Sequence, residues 1–408
     1  MPKLLQIGIE VNCNSTGRIA EQLGEVAMLH GWDSFITYAR AYQPSKSNVI
    51  KIGNAFGIYN HVLQTRLFDK HGLASNSATK TLIKKISIIK PDIIHLHHLH
   101  GYYINIKLLF DYFSKAKIPV IWTFHDCWSF TGHCAHFEYA NCSKWKTGCH
   151  HCPQLREYPK TLFFDKSKIN FAKKKEIFTS LNNMTIVPVS NWLGDIVKDS
   201  FLNIYPISVI QNGIDLEVFK PKSSREIIMT KHSLKNEFLI IGVAGTWNGR
   251  KGLEYFSKIN ERLNEDYKII LVGLNDKQLK TLPNGIIGIK RTENVSDLAD
   301  YYSAADVFVN PTLEDTFPTT NLESLACGTP VITFKTGGSA EAINSDTGII
   351  VSKGDSDKLI IAINAIKTNT KLFYSAKCRE RAEKLYDKNN KFQEYIVLYE
   401  KLIKYSNN

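Results

Sequence analysis

The stretch FVNPTLEDTFPTTNLESLACGTPVITFKTGGSAE, residues 308–341, decides the fold of this chain. The apolar run that leads into it stops at Asn310-Pro311, which predicts a strand followed by a turn. From Thr320 the apolar spacing becomes helical, and the Gly-Thr-Pro sequence at 328–330 ends the predicted helix. An apolar run at 331–334 predicts a second strand, so a strand, a helix and a strand follow one another here.

Three acids and a helix start in this stretch suit a negatively charged, hydroxyl-rich ligand. Backbone N–H groups in the first helical turn, around 317–320, have no partner inside the helix and can bind phosphate. The carboxylates of Glu314, Asp315 and Glu323 can accept hydrogen bonds from sugar hydroxyls. The same acids can instead cap the helix and favour its dipole, and composition alone does not separate the two interpretations.

The segment resembles the acidic motif of retaining glycosyltransferases of family 4, in which a carboxylate, seven residues and a Glu precede Ala-Met-Ala-Cys-Gly-Thr-Pro-Val. Asp315 and Glu323 have this spacing, and residues 325–331 follow the pattern closely. The resemblance implies that Glu323 holds the ribose hydroxyls of a nucleotide and that the first acid contacts the transferred sugar. That acid is either Asp315 or Glu314. The implied donor-binding residues also include Thr316, Phe317, Pro318 and Thr319.

Length and composition predict a globular protein of two domains. The chain has 408 residues, of which 43% are hydrophobic, and it exceeds one ordinary core. No run of eighteen apolar residues occurs, and the first residues resemble a core strand rather than a signal peptide, so a cytoplasmic protein is expected. The formal charge of +12 suggests an anionic partner, either a nucleotide, a phospholipid surface or a nucleic acid. The lysines are scattered, which is equally typical of a solvated surface.

The N-terminus predicts a strand, a turn and a helix. An apolar strand is predicted over 4–10, and apolar residues recur at helical spacing from Ile19 to Leu29. The turn between them carries Gly17, and such an entrance accepts phosphate in α/β domains. Family 4 enzymes often carry a Gly-Gly pair here, and the resemblance implies that Gly17 lies at the donor site.

Four histidines fall at the end of a strand predicted over 92–97. Alternation along the strand puts His95 and His97 on one face and His98 and His100 on the other, so they cannot all converge on one metal ion if the strand continues. A polar role for His97 or His100 at the edge of a cleft is the favoured interpretation.

The next predicted strand, 120–124, delivers His125 and Asp126 to its carboxyl end, where ligands bind in open α/β sheets. A His-Asp pair could equally form a structural turn. Its position resembles the Thr-x-His-Asp element of family 4, which implies that His125 faces the donor sugar from the acceptor domain and makes it a candidate catalytic residue with Asp315 and Glu314.

An insert at 127–155 is rich in cysteine. Cys134, Cys142, Cys149 and Cys152 give the pattern C-x7-C-x6-C-x2-C, whose last pair suits tetrahedral zinc. A zinc ion with four protein ligands would be structural rather than catalytic. Free thiols or a redox pair are the alternatives, and four histidines are candidate replacement ligands: His133, His136, His150 and His151. The insert resembles that of bacterial capsular and colanic-acid type transferases.

The second domain is predicted to open with a strand over 239–244 followed by a glycine-rich basic turn. Arg250 and Lys251 between glycines suit a diphosphate, although a simple basic turn has the same composition. In family 4 the pattern is Gly-Arg, three or four residues, then Lys-Gly. Lys251 matches this pattern, Thr246 stands where the Arg is usual, and Arg250 is the candidate substitute.

The resemblance covers nearly the whole chain and implies the α/β GT-B fold, two Rossmann-like domains with parallel sheets facing a central cleft. We expect an N-terminal acceptor-side domain over 1–205, a nucleotide-sugar-binding domain over 206–388, and a final helix over 389–408 that crosses back to the first domain. A family-like junction element at 209–215 places the hinge nearby.

The implied function is transfer of a sugar from a UDP- or GDP-sugar to a glycan or lipid-linked glycan acceptor, with retention, in bacterial surface polysaccharide biosynthesis. Catalysis without a metal is expected, because Lys251, Arg250 and helix N–H groups can stabilise the departing diphosphate, and no Asp-x-Asp metal site is expected. The enzyme could contact an anionic membrane at the inner face of the plasma membrane. A non-catalytic nucleotide-sugar-binding protein and a zinc-containing nucleic-acid-binding protein are the alternatives; the scattered lysines disfavour nucleic acid as a partner.

Overall fold

The computed structural model describes residues 1–406 and divides into two compact units. The first comprises Met1–Gln211 and 392–406, and the second comprises Asn212–Lys391. These divisions lie a few residues beyond the domain limits predicted at 205 and 388. Backbone hydrogen bonds explain the difference, because Ile210 N–H donates to Pro188 O in the first unit and Lys388 N–H donates to Ile214 O in the second.

The first unit is built on a six-stranded parallel sheet with helices between its strands. Its elements are β1 (Lys3–Ile7), β2 (Glu10–Val11), α1 (Asn14–Leu29), β3 (Asp33–Tyr38), β4 (Ala41–Tyr42), β5 (Asn48–Lys51), α2 (Ala55–Phe68), α3 (Asn76–Ile89), β6 (Ile93–Leu96), α4 (Ile106–Ala116), β7 (Val120–Phe124), α5 (Ser167–Phe178), β8 (Met184–Pro188) and α6 (Asn191–Lys198). The sheet order is β5-β3-β1-β6-β7-β8, and β2 pairs with β4 separately. In register, Leu4 of β1 lies opposite Ile93 of β6.

The second unit repeats this architecture. Its elements are α7 (Arg225–Lys231), β9 (Phe238–Val243), α8 (Leu253–Arg262), β10 (Tyr267–Val272), α9 (Asp276–Lys280), β11 (Ile286–Ile289), α10 (Val295–Ala304), β12 (Val307–Asn310), α11 (Thr319–Ala326), β13 (Val331–Phe334), β14 (Gly348–Val351) and α12 (Ser356–Tyr386), which kinks at Thr370. All its strands are parallel, in the order β11-β10-β9-β12-β13-β14. The inner strands β9, β12 and β13 are buried at every residue, so they are largely apolar rather than alternating.

The last helix, α13 (Lys388–Ser406), packs into the core of the first unit. Its buried side chains there are Phe392, Tyr395, Ile396 and Tyr399. Tyr399 packs against Trp32 with ring centroids 5.6 Å apart, and its hydroxyl lies 2.6 Å from His95 Nδ1. Residues far apart in the sequence therefore complete one hydrophobic core.

The position of Gly17 corrects one expectation. The structure places it inside the first turn of α1 rather than in the loop before the helix. Asn12 and Asn14 supply the positive φ angles of the turn, 52° and 51°, because asparagine tolerates the left-handed region. A Cβ on Gly17 would lie 3.2 Å from Glu10 Cβ, so the glycine serves close packing of α1 on β2.

None of the helices within residues 1–406 is both long and apolar enough to span a bilayer.

Candidate functional site

In the second unit, two loops meet at the carboxyl ends of the adjacent strands β9 and β12. The first loop carries Arg250 and Lys251, and the second carries Glu314 and Asp315. Lys251 Nζ forms an ion pair with Asp315 Oδ2, and Leu313 N–H donates to Arg250 O at 2.8 Å. The fold therefore joins the basic turn to the acidic motif, as expected for ligand-binding loops in open parallel sheets.

The side chain of Arg250 lies along the same loop. Its Nη1 donates to the backbone carbonyl of Glu314 at 3.2 Å. Thr246, at the position where an arginine is usual, is exposed and its hydroxyl donates to its own neighbour, Gly245 O. Arg250 is thus the arginine that the structure brings to the acidic motif.

Gly252 lets the two loops approach. Its φ of +74° lies in the left-handed region, and a Cβ there would lie 2.1 Å from Pro311 O. No side chain fits at that distance.

A third loop, after β13, fixes the acidic motif from the other side. Thr336 Oγ1 donates to Leu313 O at 2.9 Å, and Gly338 N–H donates to Asp315 O at 3.0 Å. The glycine turn at 336–338 therefore holds the loop that carries the acids.

The two candidate acids differ in exposure. Glu314 is buried, with 2% of its surface exposed, whereas 13% of the Asp315 side chain is exposed beside the Lys251 ammonium. Asp315 has the more accessible carboxylate of the two.

Glu323 lies in the middle of α11 and is held by a buried tyrosine. Tyr302 OH donates to Glu323 Oε2 at 3.0 Å. Burial, reinforced by the charge of Glu323, raises the pKa of Tyr302 well above its usual value, so the phenol keeps the proton that it donates. The same helix begins after Pro318, whose side chain provides no cap, and the sequence Thr316-Phe317-Pro318-Thr319 forms this helix entrance.

The first unit places His125 directly after β7, in a chain of hydrogen-bonded rings. Gln6 Nε2 donates to Ala20 O, so its oxygen accepts from His97 Nε2 at 3.0 Å. The other nitrogen of neutral His97 then accepts from His125 Nε2, 3.2 Å away. This network assigns the ring proton of His125 to Nε2 and leaves Nδ1 as an acceptor, suited to a hydroxyl group.

Burial determines the protonation state of the His97 and His125 rings. It lowers the pKa of both His97 and His125 well below the usual value, and the nearby His98 lowers each further. Both rings are therefore neutral at pH 7, which the acceptor role of Nδ1 requires.

His98, His100 and Asp126 form a second cluster beside His125. The His100 Nε2 to Asp126 Oδ2 distance is 2.5 Å, and His98 Nε2 lies 3.4 Å from the same oxygen. Burial would raise the pKa of Asp126, but the charge and hydrogen bond of His100 more than offset it, so the pKa lies well below the usual value. Donor atoms of these three residues all lie within 4.8 Å of one another. His98 and His100 therefore share Asp126, whereas His97 contacts Gln6 and His125.

The five cysteines of the insert are free thiols, and four of them line one small cavity: Cys134, Cys142, Cys149 and Cys152. His133 and His150 line it as well, whereas His136 and His151 are not among its lining residues.

Three features were missed by the sequence reasoning. Nothing in the local sequence marks Tyr302 or Gln6, because each reaches its partner only through the tertiary fold. Asp355-Ser356-Asp357 does have Asp-x-Asp spacing, but Asp355 caps α12 and Asp357 pairs with Arg262, so the triplet forms a helix start.

Comparison with known proteins identifies similar chains over both units. A family model described as Glycosyltransferase Family 4 matches residues 30–218, and one described as Glycosyl transferases group 1 matches residues 237–369. WcaC of Escherichia coli (strain K12), assigned to colanic acid biosynthesis as a glycosyl transferase, is 23% identical over 98% of this chain and 100% of its own length.

Two further proteins are similar, one in sequence over part of this chain and one in its fold. The N,N'-diacetylbacillosaminyl-diphospho-undecaprenol alpha-1,3-N-acetylgalactosaminyltransferase of Campylobacter jejuni is 26% identical over 48% of this chain and 55% of its own. The crystal structure of Anabaena HepE (Alr3699) in complex with UDP-glucose has a TM-score of 0.65 with 15% identity, covering 97% of this chain and 99% of that one.

Proposed function

We propose that this chain, which belongs to glycosyltransferase family 4 and has the GT-B fold, transfers a sugar from a nucleotide diphosphate sugar to a glycan or lipid-linked glycan. Transfer would proceed with retention of the anomeric configuration, in the synthesis of a bacterial surface polysaccharide. The relatives named for colanic acid biosynthesis and for transfer to a diphospho-undecaprenol glycan support this acceptor class.

The observation that carries the proposal is the meeting of cations and acids at one edge of the second sheet. The ammonium of Lys251 and the N–H groups at the start of α11 suit a diphosphate. Asp315 and Glu323 supply carboxylate acceptors for sugar and ribose hydroxyls.

In this proposal the leaving diphosphate is stabilised without a metal ion. Lys251 leaves its ion pair with Asp315 to meet the phosphates, and Arg250 adds positive charge from the same turn. Once the donor is bound, these cations are in place for the charge that develops in the transition state, so the reaction step itself needs little reorganisation. His125 is proposed as the acceptor-side residue, with its Nδ1 accepting from a hydroxyl group.

The donor is proposed to be a UDP- or GDP-sugar. HepE binds UDP-glucose and shares the fold, which supports a uridine nucleotide as the first candidate. We also propose a peripheral contact with anionic lipid, since the formal charge is +12 and a lipid-linked acceptor lies at a membrane. Liposome flotation at low and high salt tests that contact, and absence of binding at low salt argues against it.

Thermal unfolding with a panel of UDP-, GDP- and ADP-sugars tests the donor site. A ligand at a hundred times its Kd adds about 2.7 kcal/mol to the stability of the domain that binds it. We expect one nucleotide class to raise the Tm of the wild type and not of Glu323→Ala. Glu261→Gln, an exposed carboxylate change on α8, is the matched control and should respond like the wild type.

Product analysis separates transfer from binding. Incubation with the donor found in that panel and undecaprenyl-linked glycan extracts should release nucleoside diphosphate and give a product whose anomeric configuration, measured by NMR, equals that of the donor. Donor binding without release of nucleoside diphosphate would favour the non-catalytic alternative, and an inverted product would refute retention.

A further inference from the structure

The cysteine cluster of the insert is independent of the proposed transfer reaction. Four cysteines from separate parts of the insert line one cavity of about 10 Å³: Cys134, Cys142, Cys149 and Cys152. That volume holds about one water-sized sphere. The cavity therefore matches a single ion rather than an organic ligand.

The insert has little regular structure with which to hold itself together. Between β7 and α5 the described residues form two short 3₁₀ turns, Trp128–Phe130 and Lys144–Lys146. A small aromatic cluster packs beside the cavity, with the Phe137 and Trp145 ring centroids 4.9 Å apart. A segment of this size and composition commonly needs a disulfide or a metal to stay folded.

We propose that Cys134, Cys142, Cys149 and Cys152 bind one zinc ion through four thiolates and that this ion is the structural centre of the insert. Four sulfur donors around a site for one ion suit tetrahedral zinc. All four positions would be filled by protein, so the ion has no open position for catalysis.

The contacts among the thiols fit this assignment. Cys134 and Cys152 are hydrogen-bond partners, and Gly132 N–H donates to Cys149 Sγ at 3.2 Å. Backbone N–H donors of this kind stabilise a thiolate. Gly132 permits the approach, since a Cβ there would lie 2.7 Å from Cys149 Cβ and 2.2 Å from Ser167 O.

Charges around the cavity fit a dianionic centre, because Zn²⁺ with four thiolates carries a net charge of −2. Lys174 is 3% exposed, and its ammonium donates to the carbonyls of Trp128, at 2.7 Å, and Thr131, at 3.1 Å. A buried cation needs nearby negative charge. The cysteines whose negative charge would favour the charged form of Lys174, Cys134 and Cys149, belong to the proposed ligand set.

His133 supplies a second, independent observation. His133 lines the cavity, and its Nδ1 lies 2.9 Å from Asp69 Oδ1, whereas its buried Nε2 has no hydrogen-bond partner within the described residues. A histidine oriented by a carboxylate is the arrangement found beside metal centres.

Ion binding would draw the thiols together. Among residues 1–406, the cysteines do not form a set of three donors within 4.8 Å of one another, as His98, His100 and Asp126 do. Zinc would bring each sulfur to about 2.3 Å from the ion.

Metal analysis of the full chain, purified with a thiol reductant and without a chelator, tests the proposal. We expect inductively coupled plasma mass spectrometry to detect about one zinc ion per chain. Replacement by Co²⁺ should give the visible absorption of a tetrahedral centre with strong sulfur-to-cobalt charge transfer. Protein that neither contains zinc nor binds Co²⁺ would overturn the proposal, as would a disulfide among these cysteines under reducing conditions.

Paired cysteine variants localise the site. Cys149→Ser should reduce zinc to less than a tenth per chain, whereas Cys127→Ser, which changes a buried thiol outside the cavity lining, should keep it. Circular dichroism of both variants checks that the chain still folds. A full zinc content in Cys149→Ser would refute the ligand assignment. His133→Ala tests the histidine: unchanged cobalt absorption would show that His133 is only a neighbour of the ion, and changed absorption would show that it is a ligand.

Discussion

At the scale of single residues, the two acids of the 308–341 stretch are held in different ways. Asp315 forms an ion pair with the ammonium of Lys251, which lies at the end of a long side chain. Glu323 instead accepts a hydrogen bond from the buried phenol of Tyr302. The spacing of the two acids was readable from the sequence. The support by Tyr302 was not, because sequence spacing does not tell which distant side chain reaches a carboxylate.

The fixed carboxylate predicts a graded effect on donor affinity. Glu323→Gln removes a charged acceptor and should weaken nucleotide binding about tenfold or more, since hydrogen bonds to charged groups contribute roughly 1.5–3 kcal/mol. Tyr302→Phe keeps the carboxylate and loses only its orientation, so a smaller loss is expected. Calorimetric titration measures the donor affinity of both variants. Equal losses of affinity would contradict the prediction, because they would mean that orienting the carboxylate matters as much as its charge.

Exposure predicts which acid acts on the donor sugar. Asp315→Asn should lower kcat/KM by about a hundredfold or more, as expected for a charge near the reacting centre, with little change in Tm. Glu314→Gln changes a buried group and should mainly lower Tm. Steady-state kinetics and thermal unfolding of both variants distinguish the roles, and the reverse result would assign the sugar contact to Glu314.

At the scale of elements, strong apolar patterns were predictable and turns were not. The strands at 120–124 and 331–334 have the predicted limits, because both are buried throughout and buried parallel strands are largely apolar runs. The N-terminal turn differed, since Asn12 and Asn14 took the conformation expected of a glycine. Local propensity gives alternatives of this kind, and tertiary packing selects among them.

The turn before α8 predicts a contrast between two glycines. Gly252→Ala should destabilise the second unit by about 1–3 kcal/mol and weaken donor binding, because the new Cβ meets Pro311 O and the backbone is left-handed. Gly245→Ala is the matched control, since no atom lies within 4 Å of its Cβ position. Denaturant unfolding and donor titration compare the two, and equal effects would contradict this account.

At the scale of the whole molecule, buried histidines should make the first unit less stable at acidic pH. Burial lowers the pKa of His61 to about 4, of His95 to about 3 and of His98 to about 4. It lowers those of His71, His97 and His125 well below the usual value. The composition shows thirteen histidines but not how many are buried, so this property could not be predicted from the sequence.

Stability should therefore fall between pH 6.5 and about 4. The unfolded chain takes up protons below about 6.5, whereas the folded unit does not until its lower pKa values are reached. Each such group costs up to about 1.36 kcal/mol per pH unit in that window, and stability is complete above it. Urea unfolding at several pH values measures the slope, which His61→Gln should reduce by one proton. A flat profile from pH 7 to 5 would contradict the prediction.

The return of α13 to the first unit also has a consequence for synthesis on the ribosome. Phe392, Tyr395, Ile396 and Tyr399 belong to the core that Leu4 and Trp32 begin. The second unit, residues 212–391, is translated in between, which takes about 10–40 s at roughly 5–20 residues per second. The later unit can thus complete its core while the earlier one waits with an open apolar face. For that interval the nascent first unit exposes apolar surface to which chaperones can bind, and its core closes only after the second unit has been synthesised.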